Sequence, residues 1–248
     1  MKKTLTILLI LCVAAALFAA TGFSVNAGGA FDIFSLRTDK ADETELVDIF
    51  SGNGLGFDVG VQYDFNSKVM AYADFNMVFP ADFKVEITDG TASFSETFKE
   101  MIKIAEEEAK IFYDDVNVKP FSSLLDGSIG AAYKFDFDPI QLAVGGGAYV
   151  NLMRAGIVVT GKEGDDKVEE KEVMTFLTVG VSTLIEAKYE ITDNIAVRLA
   201  LMPQIGIFSK RDVKHYFNGK EIEGAGRSLS GVGISFTMPI TLGASYSF

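Results

Sequence analysis

Three groups of residues in this chain are of types that do chemistry. The first is a lone histidine, His215, in the stretch KHYFNGKE. Nucleophilic catalysis needs an imidazole beside a serine or a carboxylate in fixed geometry, and no serine lies at a recognisable spacing from His215. One imidazole is also too few for a metal centre. The second group mimics phosphate and cation loops. GNGLG at Gly52 to Gly56 opens a strand pattern instead of a helix, so it lacks the helix N-terminus that holds a phosphate. GGG at Gly145 to Gly147 reads as strand glycine, and GDD at Gly164 to Asp166 lacks the alternating acidic ligands and closing glutamate of a calcium loop. These readings assign no catalytic, cofactor or metal residue. The third group is Asp58, Asp74, Asn76, Asp126, Lys134, Glu186, Lys188, Glu190, Arg198 and Gln204, which share one parity within their segments. Both signs of charge on one side of several strands predict ion pairing in a confined space.

The elements that position this third group have a period of two. In the last segment Val232, Ile234, Phe236, Met238, Ile240, Leu242, Ala244, Tyr246 and Phe248 alternate with glycine, serine, threonine and one proline. Comparable stretches at about 22–36, 53–65, 68–79, 122–135, 140–154, 176–191, 195–208 and 230–248 predict eight antiparallel strands. Short connections at Asn66-Ser67, Asp136 to Pro139 and Thr192 to Asn194 alternate with long ones at 37–52, 80–121, 155–175 and 209–228. The expected fold is therefore all-β: an eight-stranded, antiparallel, up-and-down barrel over 21–248, with both termini at the short-turn end. A soluble barrel would put Lys and Glu on its polar face. The small polar face of the last strand suits a narrow lumen, and the aliphatic face suits lipid, where only a closed barrel satisfies every backbone donor.

Composition narrows the rest. Twenty-two Lys and Arg against 34 Asp and Glu give a net charge of −12 and exclude a nucleic-acid surface. Lys2, Lys3 and the apolar run Leu5 to Phe18 read as an export signal over 1–20, with Val25-Asn26-Ala27 as a second acceptable cleavage site. Export would remove Cys12, the single cysteine, and with it any disulfide or thiolate chemistry. The pairs Tyr63/Phe65, Tyr133/Phe135, Tyr189/Ile191 and Tyr246/Phe248 close strands at the short-turn end, as an aromatic girdle at a membrane boundary would. Phe31, Phe75, Phe79, Phe176, Phe208 and Phe236 are placed for the opposite girdle.

The signal, eight alternating strands, short turns at one end and a terminal YSF resemble the small outer-membrane β-barrels of the OmpA transmembrane-domain, OmpX and OmpW type. The resemblance implies an outer-membrane location with both mature termini periplasmic. Further implications are insertion by the barrel-assembly machinery and periplasmic chaperones through Tyr246 and Phe248, lipid as the main partner, and a monomer. A shared barrel does not fix function; the non-enzymatic expectation rests on the lone His215, and two roles stay open: envelope structure and/or limited passage of small, including apolar, solutes, or a surface adhesin binding host or matrix molecules through its loops.

Local features carry further alternatives. Pro203 and Pro239 fall at similar height on neighbouring strands and predict either a lateral seam for an apolar ligand or a β-bulge. The charged group is either a packed network or a plug that rearranges. Ser93 to Asp115 predicts an amphipathic helix with a Ser93/Glu96 capping box, an apolar face from Phe94 to Phe112 and a Glu106–Lys110 pair. That helix serves as a lid, or else as a binding element. The basic stretch 209–228 either interlocks with acidic loops or meets anionic glycans.

Overall fold

The computed structural model describes residues 22–39, 47–88 and 93–248, so the export segment expected over 1–20 lies outside the described residues. The strands are β1 (Phe23–Asp39), β2 (Val47–Asp64), β3 (Val69–Thr88), β4 (Ser93–Thr97), β5 (Asp114–Phe137), β6 (Ile140–Glu163), β7 (Asp166–Glu190), β8 (Ile195–Leu201), β9 (Gln204–Phe217), β10 (Lys220–Glu221) and β11 (Arg227–Ser247); helix α1 spans Phe98–Phe112. Neighbours pair antiparallel in the order β1, β2, β3, β5, β6, β7, then β8 and β9 end to end, then β11, which pairs back on β1. This is a closed ring of eight barrel strands, with β4 and β10 as short additions. Closure satisfies the edges that would otherwise expose a row of backbone donors. The two ends of the described chain meet, Phe248 N–H donating to Phe23 O at 3.0 Å.

Turn chemistry fixes the register. Asn66 Oδ1 accepts from the N–H groups of Lys68 and Val69 at 2.8 and 2.9 Å. At the other end Asn218 (φ 48°) and Gly219 (φ 77°) both adopt positive φ, as a two-residue hairpin turn with strand-matching twist requires.

The outward face carries the expected apolar band. Leu55, Phe57, Val59, Val61 and Tyr63 are all exposed on β2, as are Ile185 and Tyr189 on β7 and Leu242 and Tyr246 on β11. Tyr63 and Phe65, Tyr133 and Phe135, and Tyr246 and Phe248 form ring pairs with centroids 5.3, 5.0 and 4.8 Å apart. From Tyr63 to Leu55 the band is about 20 Å tall, taking ~3.3 Å per residue and a tilt of about 40°.

Above this band the polarity of the strands inverts. Inward positions become apolar: Phe34, Leu36, Phe50, Val78, Phe83, Val85, Leu124, Met153 and Phe176 form one buried cluster. Outward positions become polar, with Asn53 on β2, Lys84 on β3 and Arg154 on β6. The inversion explains two corrections. Phe176, expected on the upper girdle, is buried inside the barrel, its ring 5.5 Å from that of Phe50. The long connections expected at 155–175 and 209–228 are largely strand, since β6 runs to Glu163, β7 resumes at Asp166 and β9 reaches Phe217.

The helix also starts later than expected. Ser93–Thr97 pairs with Lys84–Thr88 as β4, and the capping box belongs to Thr97 and Glu100: Glu100 N–H donates to Thr97 Oγ1 at 3.3 Å, and Thr97 N–H to Glu100 Oε2 at 2.8 Å. Phe98 stacks on Phe83, centroids 4.5 Å apart, which joins α1 to the apolar cluster. Phe94 and Phe112, expected on the packed face, are exposed. Lys110 and Glu106 form the expected pair at 2.5 Å.

Candidate functional site in the barrel lumen

An inward strand position in an eight-stranded barrel faces a space just wide enough for side chains. Arg198 on β8 occupies it fully. Its guanidinium donates from Nε to Glu186 Oε2 at 2.6 Å, from Nη1 to Asp58 Oδ2 at 2.9 Å and from Nη2 to Asp74 Oδ1 at 2.8 Å. Glu186 stands on β7 beside Arg198, whereas Asp58 on β2 and Asp74 on β3 belong to the opposite wall. The side chain therefore crosses the lumen, and Arg198 and its three partners are all buried. Gln62 donates to Glu186 Oε2 at 2.7 Å and accepts from Lys188, which carries the network downward. Lys134 pairs with Asp64 at 2.6 Å close to the lower rim.

Fixed partners on several strands make this arrangement stiff. A guanidinium presents five donors in a planar fork, and three separate carboxylates hold that fork here. Removing one member of such a buried group leaves charge without compensation, at a cost of about 3–5 kcal/mol.

Glycine gives the larger lumen side chains room. A Cβ on Gly130 would lie 2.6 Å from the Tyr72 hydroxyl, and one on Gly206 would lie 2.7 Å from the Tyr149 hydroxyl. Met70, Tyr72, Leu184 and Met202 then fill the space alongside Arg198 as a small apolar cluster. Higher up, Gln204 donates to Asp126 Oδ1 at 2.8 Å and accepts from Thr237 Oγ1 at 2.7 Å.

Of the residues expected in the lumen network, Asp58, Asp74, Glu186, Lys188 and Arg198 form one connected group, Lys134 pairs separately, and Asp126 belongs to the higher polar level. Glu190 does not join them. It pairs with Ala196 at the turn end of β7 and is exposed, because the strand has by then left the enclosed part of the barrel. Asp32, Tyr149 and Asn151 were not anticipated as lumen residues; the parity of their own strands was the signal that could have found them.

The two prolines sit side by side, where Met202 N–H donates to Pro239 O at 2.9 Å and Thr183 N–H to Pro203 O at 2.8 Å. The register of β11 runs unbroken from Leu201 to Gln204. Met202 and Pro203 themselves fall between β8 and β9, so the ladder is interrupted at the prolines without a shift of register against β11, and the fully buried Met202 backs the position from inside.

The mouth of the barrel is laced by pairs. Tyr113 donates to Glu170 at 2.7 Å, a bond that pushes the phenol up to about 12. Lys162 and Asp115 pair at 2.5 Å, and each is held in its charged form by the other. Lys210 with Asp212 and Lys214 with Glu221 are 3.0 Å apart, so two basic residues of 209–228 pair with acidic residues of the same stretch. His215 sits 3.8 Å from Glu172 on the neighbouring strand.

No protein-family model matches the chain, and no curated protein matches it. Solved structures do. A major outer membrane protein from Thermus thermophilus aligns with a TM-score of 0.52 at 14% identity, over 89% of this chain and 99% of that one. The fold is that of a small outer-membrane β-barrel. Outer membrane protein OprG from Pseudomonas aeruginosa aligns with a TM-score of 0.48 at 12% identity, over 92% and 96% of the two chains. Neisserial surface protein A aligns with a TM-score of 0.40 at 12% identity, over 92% and 98%. Within this barrel, the Arg198 side chain reaches from β8 to Asp58 and Asp74 on the far wall.

Proposed function

We propose that this chain is a non-enzymatic, integral outer-membrane barrel with a sealed lumen that serves envelope structure. On this reading it is exported through the periplasm, keeps both mature termini there, and is inserted as a monomer by the assembly machinery acting on Tyr246 and Phe248. The observation that carries the sealed reading is Arg198, whose three carboxylate partners come from both walls of the barrel. The apolar band and the aromatic pairs at its lower edge support the membrane setting. Reconstitution of the refolded chain in planar bilayers tests it: the wild type should be electrically silent, and discrete openings blocked by small apolar solutes would replace sealing with limited passage.

A second reading, surface interaction, is favoured by one feature. A cleft of about 620 Å³ opens at the mouth between α1, Tyr113 and the upper strands, with Ile157 and Ile222 among its apolar walls and Glu170, Glu172 and His215 among its polar ones. Competition of cell attachment by a peptide spanning 209–228 would support it, and unchanged attachment would leave the structural role alone.

A further inference from the structure

The lumen holds a second polar group above the Arg198 network. Asn76 on β3, Asp126 on β5 and Asn151 on β6 stand side by side in register, all facing inward. None is more than 1% exposed. Asp32 on β1 is buried in the same space, close enough to Asp126 for the two charges to repel.

The two carboxylates are bonded alike. Asp126 Oδ1 accepts from Gln204 at 2.8 Å, and Asp32 Oδ1 accepts from Met238 N–H at 3.2 Å. The second oxygen of each is buried without a hydrogen-bond partner, and so are the Tyr149 hydroxyl and both polar atoms of Asn76 and of Asn151. The two amides lie within donor reach of Asp126, although neither contact closes to full hydrogen-bond geometry, and their oxygens remain unpartnered. Tyr149 lies near both carboxylates, with its hydroxyl also beside Thr237. Neither Asp32 nor Asp126 forms an ion pair among the described residues, and Arg198, Lys188 and Lys134 are engaged below.

A buried carboxylate without a counter-charge is costly, and two that face each other are worse. Their free atoms define what would relieve them. Two carboxylate oxygens, two amide oxygens and a phenol oxygen are hard donors, with no nitrogen or sulfur ligand that would select zinc or copper. Two negative charges match a divalent ion. A loose set of oxygens drawn from four strands suits calcium, which accepts about six to eight oxygen ligands in flexible geometry, better than magnesium, which demands a strict octahedron.

We propose that Asp32, Asn76, Asp126, Asn151 and Tyr149 form an internal site for a hard divalent cation, with calcium the best match. The chain from Thr237 through Gln204 to Asp126 positions one carboxylate from behind, and the Met238 amide positions the other. The site lies where the outer apolar band gives way to the polar upper wall, beside Ile33, Met77, Leu125 and Leu152. An ion there would brace β1 against β3, β5 and β6 across the lumen. The proposal is independent of whether the barrel conducts.

The test is to refold the mature chain in detergent with a chelator or with about 1 mM calcium, and to follow urea unfolding by the strand circular dichroism. Calcium should raise the wild-type midpoint, and Asp126→Asn and Asp32→Asn should abolish that rise. A second readout needs no variant to fold. The chain has no tryptophan, so terbium bound beside Tyr149 should emit through tyrosine and be displaced by calcium. In Asp126→Asn terbium should bind at least about tenfold more weakly. An identical wild-type midpoint in calcium and chelator, together with no calcium-displaceable terbium emission, would overturn the site and leave protons or water as what satisfies the two carboxylates. A calcium-induced rise that survives both substitutions would place the ion elsewhere and overturn it equally.

Discussion

The lower and upper halves of this barrel use one backbone in opposite ways. Below, β2 turns Leu55, Phe57, Val59 and Val61 outward and Asp58 and Gln62 inward. Above, the same strand turns Asn53 outward and Phe50 inward. The pleat is unchanged; the solvent outside it differs. A lipid-facing wall must be apolar and leaves polar groups to the lumen, whereas a water-facing wall permits an ordinary apolar core. The height at which the faces exchange roles is the height at which the membrane should end. It also decides what each half of the lumen can be: ion pairs held by Arg198 below, and a packed aromatic and aliphatic core under α1 above.

The contrast breaks most severely at Arg198. Arg198→Ala leaves Asp58, Asp74 and Glu186 facing one another in the lower lumen, and unfolding in urea should show a loss of about 3–5 kcal/mol. A cost below about 1 kcal/mol would mean that water already solvates the network. The same variant should also raise conductance in planar bilayers, because the side chain that spans the lumen is gone.

Paired substitutions on one strand sharpen the contrast. Val59→Lys puts a charge in the apolar band and should cost about 2–4 kcal/mol in a bilayer. Ser51→Lys, with the same outward parity above the inversion, should fall within about 0.5 kcal/mol of wild type. Equal costs at the two sites would erase the boundary.

Smaller effects belong to the upper half. Thr97→Ala removes the helix cap and should cost about 1 kcal/mol, read as a lower unfolding midpoint. Glu106→Gln breaks an exposed pair and should cost no more than about 0.5 kcal/mol, vanishing in high salt.

The lower half was legible in the sequence because its two faces differ in polarity at every step. Strand number, tight turns, the inward parity of Asp58, Asp74, Glu186 and Arg198, and the aromatic pairs all follow from that alternation. The upper half was not. Reading outward as apolar made the strands seem to stop near Leu55 and Met153, and it turned Phe176 outward when it belongs to the core. The start of α1 was misplaced for a related reason: Ser93 and Glu96 satisfy the same spacing as Thr97 and Glu100, and only pairing with β3 decides between them. Arg198 could be assigned to the lumen by parity, but the three carboxylates it joins lie far apart in the chain and become neighbours only on ring closure.

Depth measurement tests the central claim most directly. Expressed from residue 21, without Cys12, the chain permits single cysteines at positions 51, 59 and 84, each carrying a fluorophore, in liposomes that contain lipids with quenchers along their acyl chains. Strong quenching at 59 with little at 51 and 84 is the result the inversion predicts. Equal quenching at all three positions would contradict it, placing the upper strands in lipid and leaving the change of polarity without a membrane boundary to explain it.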